Sequence, residues 1–157
     1  MSSAVSPVPK GFRTLTPHIV VSDAKAAADY YHRAFGAEVM GFSFGPDGKV
    51  MHAQVRIGDS ILMFADHFPE FGAPAYVEGN YPFHFQIYGP DVDALWEKAV
   101  AAGCTVTMPL ADMFWGDRYG FVRDPFGFSW ALATRKEELT PEEMAERQKQ
   151  VFAGGQA

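Results

Sequence analysis

Two segments of this 157-residue sequence set imidazole and amide groups at every second position. Residues 49–57 alternate Met51, Ala53, Val55 and Ile57 with His52, Gln54 and Arg56. Residues 82–88 alternate Phe83, Phe85 and Ile87 with His84, Gln86 and Tyr88. Successive strand residues point to opposite faces, so each segment has one apolar face and one mixed face. An imidazole titrates near neutral pH, so His84 on such a face could orient a ligand or act as acid and base. It reads equally as a core histidine hydrogen-bonded to Gln86 or to a backbone carbonyl. His52 and Gln54 carry the same two readings. His84 is the candidate catalytic group, with no reaction assigned to it.

A third group falls in the stretch Phe114-Trp115-Gly116-Asp117-Arg118-Tyr119-Gly120. Trp115, Arg118 and Tyr119 come together there, and rings around a few polar groups are what small-molecule pockets are made of. Arg118 and Tyr119 face opposite sides of a strand, so both line one cavity only if the flanking Gly116 and Gly120 permit a bend. The bland reading of this region is a buried hairpin. Nucleophile chemistry has weaker support. Cys104 follows Gly103 at a strand start, a place for a small buried hydrophobe, and no Ser-His-Asp spacing has supporting context. Gly41-Phe42-Ser43-Phe44-Gly45 lacks the lysine and the strand-to-helix context of a phosphate loop.

The elements that must position these groups follow from pattern. Residues 15–21 read as a strand with a β-branched centre, Ile19-Val20-Val21. Asp23 caps a helix that runs to about Phe35 and ends at Gly36. Strands are predicted at 38–44, 49–57 and 60–65, and a long loop at 67–80. A strand at 82–88 follows, then a helix at 92–102 capped by Asp91 and ended by Gly103, then a strand at 105–108. Asp124-Pro125-Phe126-Gly127 is a type I turn signal between two last strands. Thr140-Pro141-Glu142-Glu143 starts a mostly polar helix running to about Val151, whose apolar stripe is only Met144, Val151 and Phe152.

The order is βαβββ twice, an internal repeat. Asp23 to Val39 lies over Asp91 to Val106 with one residue of slack, and Gly36 and Gly103 are 67 residues apart. The predicted fold is therefore α+β: two tandem βαβββ modules forming a curved mixed sheet around a cavity, plus a C-terminal helix. The expected organisation is a flexible N-terminus at 1–10, a domain at 11–134 with modules at about 11–66 and 81–134, and a helical tail at 135–157. Two curved halves placed side by side would enclose their mixed faces.

Composition removes some classes. Aromatic residues at 15% are in excess, which needs either a large core or a ligand site. A net charge of −6 with no Lys/Arg cluster argues against nucleic acid and anionic membranes. The single cysteine excludes an internal disulfide and fits a reducing compartment. With no apolar run near spanning length and no signal-peptide core, the expected location is cytoplasmic. Exposed sheet edges and the thin stripe of the last helix point to a homodimer.

The run Trp115-Gly116-Asp117-Arg118-Tyr119-Gly120, then Asp124-Pro125-Phe126-Gly127 and Trp130, resembles the end of the vicinal oxygen chelate superfamily. That group contains glyoxalase I, bleomycin-resistance proteins and extradiol dioxygenases, and the chain is most similar to its PhnB-like branch. The resemblance spans residues 11–134 and implies a homodimer as well. Metal-dependent members place ligands on the first and last strands of each module, where a divalent ion holds two substrate oxygens. His84 stands at one such place. By the 67-residue offset its counterpart is Pro17, and His18, one place away, would face the other side. Ala131 stands where the resemblance implies a carboxylate, and Leu62 or Met63 takes the matching place in the first module. A lone imidazole does not hold a divalent metal, so no metal and no cofactor are expected.

The resulting expectation is a metal-free protein that encloses an aromatic or hydrophobic small molecule. His52, Gln54, His84, Gln86, Trp115, Arg118 and Tyr119 would be its ligand-binding residues. The alternative is a metal-dependent lyase or dioxygenase, resting on the resemblance and His84. A third reading is a subunit whose cavity is merely filled with side chains.

Overall fold

Asp23, Asp91 and Thr140 each accept a hydrogen bond from the backbone amide three residues on, from Ala26, Ala94 and Glu143 respectively. These are N-caps, and they start three helices where the sequence predicted them. The structure is a computed structural model that describes residues 4–154. The expected loose N-terminus and helical tail extend at 1–3 and 155–157 outside the described residues. The chain divides into two compact units, Met1–Glu78 and Gly79–Ala157.

In the first unit β1 is His18–Val20, α1 is Ala24–Phe35, β2 is Glu38–Phe44, β3 is Val50–Ile57 and β4 is Ser60–Ala65. They form a four-stranded mixed sheet in the order β1-β4-β3-β2, with β1 parallel to β4 and the other pairs antiparallel. Of the strand expected at 15–21, β1 covers His18–Val20, and backbone hydrogen bonds to β4 reach Pro17 and Val21 on either side. Gly36 ends α1 in the left-handed region at φ 68°, where a side chain would be strained. Ala53, Val55, Leu62 and Phe64 are buried and share one sheet face. The fully buried Tyr31 of α1 meets Phe64 edge-on at 5.9 Å. Each large apolar side chain buried this way contributes about 1.5–3 kcal/mol. The segment after β4, expected as a loop, holds one 3-10 turn at Pro69–Phe71.

The second unit repeats the plan. β5 is His84–Tyr88, α2 is Val92–Ala101, β6 is Thr105–Asp112, β7 is Asp117–Arg123 and β8 is Ser129–Arg135. The sheet order is β5-β8-β7-β6, with β5 parallel to β8. Trp130, Leu132 and Val122 are buried, and Trp130 packs on Phe85 at 4.8 Å between ring centres. α3, Pro141–Ala153, follows β8 and has no buried residue. Its Arg147 grips both carboxylate oxygens of Glu137 at 2.9 and 2.7 Å and donates to the Phe114 carbonyl.

One device recurs in both units. The first amides of α1 and α2 are each satisfied by a side chain just past the last strand of the unit or near its end. Ala24 N donates to Asp66 Oδ1 at 2.9 Å, and Val92 N donates to Thr134 Oγ1 at 2.9 Å. Asp66 also accepts from Val50 N, and the Thr134 hydroxyl donates to the Gly89 carbonyl. The fold is thus α+β with two tandem βαβββ modules and a C-terminal helix. No helix among the described residues is long and apolar enough to cross a membrane.

Candidate functional site

In the second sheet the helix covers one face, and register assigns the residues of the other. Three rows cross it. Tyr88 pairs with Ala133 and Ala133 with Tyr119. Gln86 pairs with Ala131 and Ala131 with Phe121. His84 pairs with Ser129 and Ser129 with Arg123. In these three rows β8 supplies only small side chains, and the strands on either side supply large ones; at its end Arg135 stands opposite Asp117. Neighbouring strands lie about 4.8 Å apart, so the large side chains lie down across the small ones.

The result is a platform of rings. The His84 imidazole meets Phe121 at 4.7 Å, Phe121 meets Tyr119 at 5.3 Å, and Tyr119 meets Trp115 at 5.0 Å. All three contacts are edge-to-face, the arrangement ring quadrupoles favour. Beneath them Ala131 and Ala133 are fully buried. His84, Gln86 and Tyr88 are exposed, and Trp115, Tyr119 and Phe121 are half-buried.

At one end of the platform sits Asp117, only 4% exposed. Its Oδ2 accepts from Tyr88 Oη at 2.8 Å and from Trp115 Nε1 at 2.9 Å. Two rings that approach from different elements are thereby fixed by one carboxylate. Burial first, then the hydrogen bond and charge of Asp117, push the Tyr88 phenol above its ordinary value. Burial and the same charge raise Tyr119.

The first sheet has its own open face. His18 pairs with Met63 and Met63 with Gln54. The His18 and His52 rings are 6.0 Å apart, and Gln54 Nε2 lies 3.0 Å from His52 Nε2. Burial, then the charge of His52, hold His18 below the ordinary imidazole range. Sequence reasoning put His18 on the wrong side. The 67-residue offset was measured at the glycines that end the helices, and α1 has 12 residues against 10 in α2. The capping residues Asp23 and Asp91, nearer the first strands, are 68 apart, which lays His18 over Gln86 and restores the parity. Register also decides between Leu62 and Met63. Leu62 is buried with Val55 on the helix side, and Met63 lies on the open face.

The expected site residues fall in both units. His84, Gln86, Tyr119 and Trp115 come together in the second unit, and His52 and Gln54 lie together in the first. Arg118 stands on the other side of its sheet. Its pairing with Thr134 is regular, so no bend brings it beside Tyr119. It forks onto Asp93 of α2 at 3.0–3.1 Å and reaches Asp112 at 3.3 Å. With Lys136 and Glu137 it lines an open depression of about 430 Å³. Gly120 is needed for closeness, not for a bend: a Cβ there would lie 2.6 Å from Cζ3 of Trp96. Sequence reasoning missed Tyr88, Asp117 and Phe121 as members of the platform. Alternation along β7 links Asp117, Tyr119 and Phe121, and would have found two of them.

Among the described residues no three His, Cys, Asp or Glu side chains form a group that could hold a metal ion. On the second unit's open face the buried carboxylate, Asp117, is engaged by Tyr88 and Trp115. His18 and His52 in the first unit have Met63, not a carboxylate, beside them. Neither open face by itself carries the donor set of a metal centre.

Two tandem βαβββ modules, each a four-stranded mixed sheet with a helix on one face, define the class of fold. Residues 13–132 match the Glyoxalase/Bleomycin resistance protein/Dioxygenase superfamily, and the chain belongs to that superfamily. Protein Rv0887c of Mycobacterium tuberculosis is 41% identical over 134 residues, covering 83% of this chain and 79% of that protein. TioX of Micromonospora sp. ML1 superposes with a TM-score of 0.61 at 27% identity, over 77% of this chain and 97% of TioX. The PhnB protein of Bacillus cereus shares the fold at a TM-score of 0.62 and 16% identity, over 78% of this chain and 99% of that one.

Proposed function

We propose that this protein is a metal-free binder of an aromatic or hydrophobic small molecule, which lies against the ring platform of the second unit. The observation that carries this reading is the continuous run of rings from the exposed His84 through the half-buried Phe121, Tyr119 and Trp115, over the buried Ala131 and Ala133. Contiguous rings left partly open to water are costly, and on a folded protein they support reading a binding surface. Stacking on them supplies affinity, and the His84 imidazole, Gln86 amide and Tyr88 phenol supply orientation. Titration with a panel of planar aromatics, read by tryptophan fluorescence, tests it. The expected result is saturable quenching in the wild type that weakens in Trp115→Ala.

The second reading is a metal-dependent lyase or dioxygenase. One observation favours it: two imidazoles, His18 and His52, share the open face of the first sheet. Metal analysis of protein purified without chelator separates the two readings. Stoichiometric zinc, nickel, manganese or iron would overturn the first.

The protein is further proposed to act as a cytoplasmic homodimer. Strand β2 is an edge strand whose Val39, Met40, Phe42 and Phe44 are all exposed, and such edges need cover. Sedimentation giving the monomer mass of 17.3 kDa at micromolar concentration would count against this.

A further inference from the structure

Helix α3 has no buried residue. Of its side chains only Met144 and Arg147 are half-buried, and the others are exposed. A helix this short and polar is marginal by itself in water, so tertiary contacts must hold it. Arg147 makes the polar ones. It forks onto Oε1 and Oε2 of Glu137 at 2.9 and 2.7 Å and donates to the Phe114 carbonyl at 3.3 Å. Such a fork is the strong, directional form of an ion pair, and a lysine cannot reproduce it. These hydrogen bonds, with the charge of Arg147, hold the Glu137 carboxyl below the usual carboxylate range.

Everything that Arg147 holds bears on one turn. The residues between β6 and β7 are closed by Gly116 N donating to the Met113 carbonyl at 3.1 Å and Met113 N donating to the Asp117 carbonyl at 2.7 Å. Phe114, whose carbonyl Arg147 takes, stands just before Trp115 in this turn. Gly116, just after it, is held by the chain leaving β8, where the amides of Lys136 and Glu137 both donate to its carbonyl at 2.8 and 3.0 Å. The approach is so close that a Cβ on Gly116 would lie 2.8 Å from the Glu137 carbonyl oxygen. Arg147 therefore ties α3, the segment after β8 and the turn into one unit, with Trp115 between two held residues. From there the indole reaches the platform, donating to Asp117 at 2.9 Å and meeting Tyr119 at 5.0 Å.

We propose that α3 is a clasp on this turn and that Arg147 is a positioning residue for Trp115, so that the affinity of the platform depends on α3 being docked. The inference rests on the platform reading given under Proposed function and adds to it a residue that acts only through Trp115. Because α3 buries no side chain, releasing Arg147 leaves the cores of both units closed. The loss falls instead on the turn, since short connections open locally more readily than the sheets they join. A turn free to open carries its indole with it, and the ring no longer waits in the orientation that a flat ligand needs. Holding it there beforehand lowers the ordering cost of binding.

Hydrogen exchange of the indole N–H signals of Trp96, Trp115 and Trp130, followed by NMR, tests it without any ligand. The Trp115 signal is the one absent from Trp115→Phe. In Arg147→Ala the Trp115 indole should exchange about threefold faster or more, the scale of a half-exposed forked pair. The Trp130 indole, held by Asp124 in the core, should not change. An unchanged Trp115, or equal acceleration at Trp130, overturns the proposal. In a Glu137→Ala background Arg147→Ala should add less than it does alone, because the two act as one pair. Effects that simply multiply would show that Arg147 does not work through Glu137, and the clasp would fall. A planar aromatic that quenches the wild type should bind Arg147→Ala about threefold more weakly, and equal affinity overturns the positioning role. If no aromatic binds the wild type, the platform reading falls, and the exchange contrast alone decides whether α3 clasps the turn.

Discussion

The indole Nε1 of Trp130 donates to Asp124 Oδ2 at 2.9 Å, tying the buried centre of β8 to the first corner of the turn that precedes it. The other oxygen of Asp124 accepts from the amides of Phe126 and Phe128, both at 2.9 Å. One buried carboxylate thus closes the turn and orients the largest side chain of the second core. Its charge is met by three donors, which is how a carboxylate with 4% exposure is tolerated.

Trp130→Ala should destabilise the protein by about 3–5 kcal/mol, as large core truncations do. Asp124→Ala should cost about 3 kcal/mol, because it strands three buried donors at once. Urea denaturation of both variants measures this. A loss below about 1 kcal/mol in either would mean that the turn holds itself by other contacts.

The same residues show what the sequence made legible. Asp124-Pro125-Phe126-Gly127 announced its turn through local chemistry, and the caps Asp23, Asp91 and Thr140 announced their helices in the same way. These signals act within four residues and do not depend on the rest of the fold. Strand faces are less forgiving, because a single residue of slack inverts them. His18 was misplaced for that reason, since the slack lies in the helix between the point where the offset was measured and the strand to which it was applied. Strand β6 was expected at 105–108 and runs to Asp112. Pro109 lies within it, which is tolerated because β6 is an edge strand and bears register shifts around Met108. Arg118 could not be placed from local sequence, because its partner Asp93 is 25 residues away on α2. The platform was half legible. Its rings were visible as types, but the small residues beneath them, Ala131 and Ala133, gain their meaning only once β8 lies between β5 and β7.

Gly120 yields the second prediction. A Cβ there would lie 2.6 and 2.8 Å from Cζ3 and Cη2 of Trp96 and 3.0 Å from the Leu110 Cα. The backbone at Leu110 in β6 cannot yield like a side-chain tip, so Gly120→Ala presses on β6 as well as on Trp96 of α2. Overpacking of this kind costs about 1–3 kcal/mol. Thermal melts would register it as a lowered midpoint. A variant as stable as the wild type would show that Trp96 can swing aside without loss.

The third concerns pH. Burial and the charge of His52 hold His18 below the ordinary imidazole value of about 6.5. The unfolded chain therefore takes up its proton at a higher pH than the folded one. Between those two values the unfolded state binds more protons, so stability falls as pH drops below about 6.5 and levels off once the folded His18 is also protonated. Above about 6.5 the imidazole is neutral in both states and contributes no slope. The effect is modest because His18 is partly exposed. His18→Gln should flatten this part of the profile, as read from thermal midpoints between about pH 5 and 8. Identical slopes for the variant and the wild type would assign the pH dependence to other groups.

Trp115 supplies the last. It belongs to the same short stretch as Arg118 and Tyr119, but its environment is unlike that of Trp130. Trp115 is half-buried, meets Phe114 and Tyr119 edge-on at 5.1 and 5.0 Å, and spends its one donor on Asp117. Removing it leaves Asp117 with the Tyr88 hydroxyl still in place, so the carboxylate is not orphaned. The loss falls on the ring surface offered to a ligand. Each stacked pair is worth about 0.5–1.5 kcal/mol beyond the area it covers, so Trp115→Ala should weaken binding of a planar aromatic by roughly threefold to tenfold or more. Its melting midpoint should stay well above that of Trp130→Ala, because no sealed core is opened. Paired melts and fluorescence titrations of the two variants test the contrast. If Trp115→Ala melts early and Trp130→Ala does not, the roles of platform and core assigned to these two indoles are reversed.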